Sequence, residues 1–193
     1  GNYVLIEYRP TKKAPATLEI PGEISGGKVV RIQQNTFNAQ ESYTGVYGAR
    51  MQSIKNIIIP ENVRYLGTET FHLLENLETM TIPSTLYFTT EGSRGLGGFM
   101  THCYNIKEFK MPKEGKYVSV KDGVLYNKDK TCVIMYPAAK PQKEYTLPEG
   151  LIDINDDAFA YGKYLEEITI PDSVEYIGSW GFMNCENLRK INI

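Results

Sequence analysis

A tetrad of apolar residue, any residue, apolar residue and proline recurs along this chain, and its spacing constrains the fold more than any other feature. The tetrad ends at Pro21, Pro60, Pro83, Pro112, Pro148 and Pro171. Pro60 and Pro148 each begin a 23-residue interval, and 22 residues follow Pro171. In these three units the residues 3, 6, 11, 17, 20 and 22 positions after the proline are all apolar. This period predicts a repeat protein whose units bury their apolar residues against their neighbours.

The longer intervals contain the same unit with insertions. The 39-residue interval after Pro21 has 16 residues more than 23. The interval after Pro83 has six extra residues around 89–98, which are followed by Phe99. The 36-residue interval after Pro112 lacks the phenylalanine-centred pattern.

Each unit predicts short strands. Alternation before each proline is typical of a strand, which the proline ends because it has no backbone donor. A second short strand is predicted to end at Gly67, a turn position that Gly178 repeats, since glycine adopts positive φ. One helical turn is predicted around 68–75. In the 36-residue interval, apolar runs at 123–126 and 131–136 around a polar turn predict a β-hairpin.

The last unit resembles a known repeat family. Residues 170–191 read IPDSVEYIGSWGFMNCENLRKI, which is similar to the BspA-type leucine-rich repeat, roughly IPxxVxxIGxxAFxxCxxLxxI. Ala158-Phe159 matches the Ala-Phe pair of that pattern, and the hairpin segment at 122–129 is similar to an insertion common between such repeats. The resemblance covers about residues 18–193.

The resemblance implies a bacterial protein that is secreted or held at the cell surface, in some relatives by a lipid anchor. Some such proteins are adhesins that bind host matrix proteins or other cells. The expected localisation is therefore extracellular or cell surface. A repeat is a scaffold whose ligand depends on its variable exposed positions, so the family does not identify the partner.

The expected fold class is a β-rich α/β solenoid, a short right-handed leucine-rich-repeat coil of about six 23-residue units with insertions and one β-hairpin unit. Its interior would place Phe71, Phe159 and Phe182 in one column. Residues 1–17 would form an N-terminal cap or an extra strand, and residues 18–193 the repeat domain. The units are expected near 18–56, 57–79, 80–108, 109–144 with the hairpin, 145–167 and 168–193.

Composition argues against several classes of function. The net charge is −2 and the pI about 5.8, which gives no electrostatic case for nucleic-acid binding. Mean hydropathy is −0.34, and no apolar run is long enough for a membrane-spanning segment. The chain starts at Gly1 without a basic or apolar leader. We therefore expect a processed chain, from which a signal segment can have been removed.

The cysteines predict buried free thiols. Cys185 lies 14 residues after its tetrad proline, and Cys103 takes the same position once the six inserted residues are removed. Three strand spacings of about 4.8 Å separate these positions by about 14 Å, whereas disulfide Cα atoms lie within about 7 Å. Cys132 in the hairpin has no evident partner. We expect no disulfide among them.

No pattern indicates catalysis, a metal or a cofactor. The adjacent residues His102 and Cys103 are not expected to pair as base and nucleophile, and His72 is predicted to lie on the surface. The glycine-rich segment 92–98 lacks the lysine of a phosphate-binding loop, and the aspartates at 153–157 lack the terminal glutamate of a calcium loop. We therefore expect a protein that is not an enzyme and that binds neither metal nor cofactor.

Two surfaces are candidates for binding a protein or a glycan. The first is the outward face of the tetrad strands, with the candidate residues Thr79, Thr81, Glu108, Lys110, Thr146, Glu167 and Thr169. The second is the pair of insertions, which are favoured because insertions in repeat proteins commonly lie on the binding side and tyrosine supplies contact area at low entropic cost. Its candidate residues are Tyr43, Tyr47, Tyr87, Phe88 and Arg94.

These observations favour a non-catalytic, adhesin-like interaction module. Two alternatives stay open: a glycan-binding module of a larger surface protein, and a structural segment that self-associates end to end through the strand at 191–193. Catalysis is the least supported reading, because the chain has no catalytic constellation.

Overall fold

The computed structural model describes residues 1–5, 7–40, 46–87 and 98–193. These residues form short strands and one short helix. The elements of the first part are β1 (Asn2–Leu5), β2 (Thr17–Glu19), β3 (Glu23–Ile24), β4 (Gly27–Ile32), β5 (Phe37–Asn38), α1 (Val46–Met51), β6 (Asn56–Ile58), β7 (Tyr65–Leu66), β8 (Phe71–His72), β9 (Thr79–Thr81), β10 (Met100–Thr101) and β11 (Glu108–Lys110). The remaining elements are β12 (Val118–Lys121), β13 (Val124–Asn127), β14 (Cys132–Met135), β15 (Glu144–Thr146), β16 (Asp153–Ile154), β17 (Glu167–Thr169), β18 (Tyr176–Ile177) and β19 (Lys190–Asn192).

The tetrads form parallel strands, as their alternation predicts. Strands β2, β6, β9 and β11 pair in that order, and β15, β17 and β19 form a second sheet. The middle residue of each strand points inward, so Ile57, Met80 and Phe109 align and are almost fully buried. Each of these strands except β19 stabilises the fold chiefly by burying this apolar residue, which contributes about 1.5–3 kcal/mol for a side chain of this size.

The second short strands form a further set of parallel ladders. Strand β4 pairs with β7, and β14, β16 and β18 pair in that order. Strand β1 pairs in parallel with the other edge of β4, so the N-terminal segment adds a strand to this sheet.

Besides the tetrad strand and the second short strand, each unit has a third side, the segment around the position 11 residues after the proline. This third side differs from the prediction. Residues 71–72 form strand β8 between β5 and β10, so the helical turn predicted around 68–75 is wrong. The reason is that the Phe71 N–H bonds the Phe99 carbonyl of the next unit at 2.9 Å instead of closing a turn within its own unit. After the hairpin the same side consists of hydrogen-bonded turns, for example Ala160 N–H to Asp157 O at 3.0 Å.

The hairpin prediction is confirmed, and the hairpin has a third strand. Strands β13 and β14 are antiparallel, and β12 precedes them across a two-residue turn at Asp122-Gly123. Both turn residues have positive φ, 51° and 76°, as hairpin turns of this length require. The Phe109 N–H bonds the Gly123 carbonyl at 2.9 Å, so this turn lies beside β11 and separates the two tetrad sheets.

The repeated glycine has a different role from the one predicted. Neither Gly67 nor Gly178 has positive φ. A Cβ on Gly67 would lie 2.3 Å from the Gln34 nitrogen, and a Cβ on Gly178 would lie 2.4 Å from the Asp156 nitrogen. Glycine is therefore needed because successive units approach each other closely at this position.

The buried aromatic rings form two stacks, not the single column expected. Phe37 and Phe71 stack at 5.2 Å, and Phe159 and Phe182 stack at 5.0 Å. Tyr136 of the hairpin unit extends the second stack, 4.9 Å from Phe159. The buried apolar residues likewise fall into two clusters, which divide within the hairpin unit.

Phe99 does not occupy the position that its spacing predicts. Met100, one residue later, pairs with Phe71 in the β8–β10 ladder. Phe99 is buried at the preceding position, where Thr70 and Ala158 stand in other units, and contacts Phe71 edge-on at 6.5 Å. The insertion ahead of it shifts the register by one residue.

Candidate binding surfaces

The polar residues of the first tetrad sheet align across units and bond to one another. Thr79 pairs with Asn56 on one side and Glu108 on the other. The Thr79 hydroxyl donates to Asn56 Oδ1 at 2.8 Å, and Asn56 Nδ2 donates to Thr17 Oγ1 at 3.1 Å. These side chains satisfy part of their hydrogen-bonding capacity within the sheet, where they link neighbouring units.

The second row of this sheet contains the other predicted residues. Thr81 lies between Ile58 and Lys110. Lys110 forms an ion pair with Glu108 of its own strand at 2.9 Å. Ion pairs between exposed groups contribute at most about 1 kcal/mol, so this one contributes little to stability.

The second tetrad sheet has an ionic version of the same arrangement. Glu167 accepts hydrogen bonds from Lys190 Nζ at 2.9 Å and Asn192 Nδ2 at 2.6 Å, and these bonds lower the pKa of its carboxyl. Thr146 and Thr169 align beside it with Asn192. The predicted residues therefore form two separate surfaces, because the hairpin turn lies between β11 and β15.

The first insertion anchors the N-terminal segment. Tyr47 lies on α1 between the guanidinium groups of Arg9 and Arg50, each 5.8 Å from its ring centroid. Arg50 also donates to the Pro10 carbonyl at 2.9 Å. Tyr47 is thus half-buried in an intramolecular contact. Tyr43, Phe88 and Arg94 lie outside the described residues.

Tyr87 belongs to a row of rings that we call the tyrosine ladder: Tyr65, Tyr87 and Tyr117, of which the first two are exposed and the third is half-buried. The ring centroids of Tyr65 and Tyr87 are 5.8 Å apart, and those of Tyr87 and Tyr117 are 4.8 Å apart. A cation lies over each end, with Arg31 4.9 Å from the Tyr65 ring and Lys116 5.0 Å from the Tyr117 ring. Tyr65 and Tyr87 are 42% and 39% exposed, so the ladder offers apolar area to solvent.

Backbone bonds between units hold the ladder in place. The Tyr87 N–H donates to the Arg64 carbonyl at 2.8 Å, and the Lys116 N–H donates to the Ser84 carbonyl at 2.9 Å. A groove of about 570 Å³ runs along the ladder. A signal for it exists in the sequence: the three tyrosines stand five, four and five residues after Pro60, Pro83 and Pro112.

The histidine prediction needs correction. His72 is buried, since β8 lies between two other strands, and its Nδ1 lies 2.6 Å from Thr101 Oγ1. Burial lowers the pKa of His72. His102 is exposed, and its ring centroid lies 5.0 Å from that of His72.

Cys103 and Cys185 occupy equivalent positions, as predicted, but Cys185 is half-buried where a buried side chain was predicted. The Cys103 thiol donates to the Phe71 carbonyl at 3.7 Å, and the Cys185 thiol donates to the Phe159 carbonyl at 2.9 Å. Burial raises the pKa of Cys103 to about 12, so its thiol stays protonated at neutral pH. Cys103, Cys132 and Cys185 are all free. Among the described residues, no group of three or more His, Cys, Asp or Glu side chains could hold a metal ion.

A pocket beside β10 has no counterpart in the predictions. Val133 pairs with Ile154, and the Tyr136 N–H bonds the Ala158 carbonyl, as the Phe159 N–H bonds Gly181 one unit later. The hairpin unit therefore passes from its second short strand to its third side in three residues, from Val133 to Tyr136. The next unit takes five residues, from Ile154 to Phe159. This shorter path leaves a pocket of about 550 Å³ between β10 and the turns around Ala160 and Met183.

Parallel ladders at a 23-residue period define a β-rich leucine-rich-repeat protein. The sequence matches the family model described as BspA type leucine rich repeat region over residues 46–139 and 136–193. The chain belongs to this family. Among curated proteins, none matches the sequence.

Solved structures of bacterial proteins share the fold. The pneumococcal vaccine antigen PcpA aligns with a TM-score of 0.65 and 18% identity, over 98% of this chain and 54% of that one. A leucine rich cell surface protein from Faecalibacterium prausnitzii A2-165 aligns with a TM-score of 0.55 and 14% identity, over 93% of this chain and 69% of that one. The chain thus spans about half the length of the first of these proteins. Along the described parts of the chain, no helix has the length and hydrophobicity to cross a bilayer.

Proposed function

We propose that this protein is a non-catalytic interaction module that binds another protein outside the bacterial cell, through the tyrosine ladder. The observation that carries the proposal is a row of three tyrosine rings on successive units, two exposed and one half-buried, which line a groove and are bracketed by two cations.

The composition of the ladder supports a protein partner. Tyrosine and arginine are enriched where protein interfaces have their largest binding energies, because they combine apolar area with a polar tip. The rings contact one another, so little side-chain entropy is lost when they are covered. Arg31, Arg64 and Lys116 favour a partner with acidic groups at the rim.

The proposed location and architecture extend the family assignment. One structural relative is named a cell surface protein and another a vaccine antigen, which supports an extracellular, adhesin-like role here. We also propose that the units wind as a right-handed solenoid, with boundaries near those given above. In that arrangement Thr79, Thr81, Glu108 and Lys110 would flank the interface on the first tetrad sheet, and Thr146, Glu167 and Thr169 would form a separate contact surface on the second.

Binding to immobilised matrix proteins and glycans tests the proposal. Tyr65→Ala, Tyr87→Ala and Tyr117→Ala should each weaken binding to the protein partner at least about ten-fold, since interface tyrosines commonly contribute about 2 kcal/mol. Tyr164→Ala is the matched control, because Tyr164 is 43% exposed and lies away from the ladder. Binding that survives all three ladder substitutions would refute the proposal, and binding to glycans alone would identify a different class of ligand.

Self-association is a second candidate. Strand β19 pairs with β17 alone among the described strands, and its middle residue, Ile191, is 49% exposed. A second copy could extend this sheet edge to edge. Light scattering across a concentration series tests this candidate: a rising mass that Ile191→Lys abolishes supports it, and a constant monomer mass excludes it.

A further inference from the structure

We propose that the pocket beside β10 binds an extended peptide of a partner protein, which adds to β10 as a parallel strand and inserts one aromatic side chain. We call it the β10 pocket. This site is separate from the tyrosine ladder and does not depend on it.

The strand β10 has an edge that a peptide could occupy. It pairs with β8 on one side, and none of the described strands pairs with its other side. Phe71 and Leu73 donate their N–H groups to the Phe99 and Thr101 carbonyls of the following unit. By the same repeat geometry, the N–H groups of Met100 and His102 point towards the next position, which is where the pocket lies.

The pocket exists because the hairpin unit takes the shorter path between Val133 and Tyr136. Its far wall consists of turn residues from the two following units, including Ala160, Trp180 and Met183. Pockets of about 300–1,000 Å³ are typical of ligand sites, and this one, at about 550 Å³, is within that range.

The lining favours an aromatic side chain. Met100, Met135 and Met183 contribute flexible, polarizable side chains, which adapt to aromatic rings. Tyr104 and Tyr161 close one end with their ring centroids 4.5 Å apart. Other units insert an aromatic ring preceded by a small residue on this side, as in Thr70-Phe71 and Ala158-Phe159, and both rings are fully buried.

The polar rim is compatible with a peptide backbone. His102 lies on the β10 side, and Asp157 on the opposite wall has a pKa raised by burial. These groups offer a donor and an acceptor at the mouth of an otherwise apolar site. An aromatic residue flanked by small residues in an extended peptide therefore matches both the shape and the chemistry of the pocket.

A peptide copied from the chain provides the probe. Residues 157–161, Asp-Ala-Phe-Ala-Tyr, form the third side of the unit that follows the hairpin. An acetylated and amidated peptide containing this segment should bind in a saturable manner. Trp180 lines the pocket, is 67% exposed and is the chain's single tryptophan, so its fluorescence reports occupancy.

Three comparisons make the test specific. Replacing the peptide's phenylalanine by alanine should weaken binding at least ten-fold. Ala160→Leu, which fills the pocket, should do the same, whereas Ala49→Leu on the exposed face of α1 should not. Met183→Glu offers a second blocking variant if Ala160→Leu alters the far-UV spectrum.

Hydrogen exchange followed by NMR distinguishes strand addition from simple ring binding. Bound peptide should slow exchange of the Met100 and His102 amides at least ten-fold. A fluorescence change without this protection would overturn the proposal, as would equal affinity for N-acetylphenylalaninamide. Absence of saturable binding to the full chain would overturn it as well, and would leave the tyrosine ladder proposal intact.

Discussion

The units before the hairpin and the units after it solve the same packing problem with different chemistry. Before it, the third side consists of strands β5, β8 and β10, and neutral groups such as Asn56 and Thr79 bond across the tetrad sheet. After it, the third side consists of turns, and Glu167 with Lys190 forms an ionic contact in the tetrad sheet. Both regions keep the same apolar positions, which are buried in the units after Pro60 and Pro148 apart from the half-buried Leu66. The interior therefore defines the repeat, and the exposed positions vary.

The hairpin unit, which lies between the two regions, interrupts the regular repeat. It divides the tetrad sheet, divides the aromatic stack and leaves the β10 pocket. A repeat protein whose units contact mainly their neighbours tolerates such an interruption, because the energy of each interface is local.

Removing a ring from each stack should have the largest effect. Phe71→Ala and Phe159→Ala should each lower the free energy of unfolding by about 3–5 kcal/mol, because both rings are fully buried. Phe182→Ala should cost less, since Phe182 is half-buried. Urea denaturation measures all three. An equal loss for Phe182 and Phe159 would contradict the assigned burial.

The close approach between units predicts the next largest effect. Gly178→Ala should lower the free energy of unfolding by about 1–3 kcal/mol, because the added Cβ would meet the Asp156 backbone. Gly150→Asn is the contrast: its position has φ of +79° with open space around it, and asparagine tolerates that conformation. A smaller loss for Gly178→Ala than for Gly150→Asn would refute the close approach.

Alkaline pH should weaken the region before the hairpin through Cys103. Burial holds the pKa of this thiol at about 12 in the folded protein, above its ordinary value near 9. The stabilisation is therefore complete below pH 9 and is lost as the pH rises towards 12. Urea midpoints at pH 7 and pH 10 should differ less in Cys103→Ala than in the unmodified protein. An unchanged pH dependence would show that this thiol does not contribute.

The neutral contact in the tetrad sheet should have the smallest effect. Thr79→Val removes the hydroxyl that donates to Asn56 and should cost about 0.5–1.5 kcal/mol. Thr81→Val on the same strand is the control and should change the free energy of unfolding by less than about 0.5 kcal/mol. Equal losses at both positions would mean that the Thr79 bond does not link the units.

The period of 23 residues predicted the features that depend on buried apolar positions. The tetrad strands and the equivalence of Cys103 and Cys185 follow from it, whereas the hairpin was predicted from two apolar runs around a polar turn. Apolar spacing does not specify how polar backbone groups pair, and β8 stands where a helical turn was predicted because the Phe71 N–H bonds the next unit. The apolar spacing also did not predict the one-residue register shift at Met100. An insertion can end at either of two neighbouring apolar residues, here Phe99 or Met100.

The binding surfaces were less predictable. Tyr87 was identified from its place beside an insertion, but Tyr65 and Tyr117 were missed because no single unit shows that they align. The β10 pocket depends on a path two residues shorter in the hairpin unit, which only strand pairing reveals. Thr79 and Glu167 were chosen as exposed groups, and their bonds to neighbouring units give them a stabilising role in addition.

Residue-resolved hydrogen exchange in the free protein tests the arrangement of units most directly. The amides of Phe71 and Phe159 bond carbonyls of the following unit at 2.9 and 2.8 Å, so both should be strongly protected. The Met100 amide, on the unpaired edge of β10, should exchange much faster. Fast exchange at Phe71 and Phe159, or protection of Met100 equal to theirs, would contradict the stacked units interrupted at the hairpin.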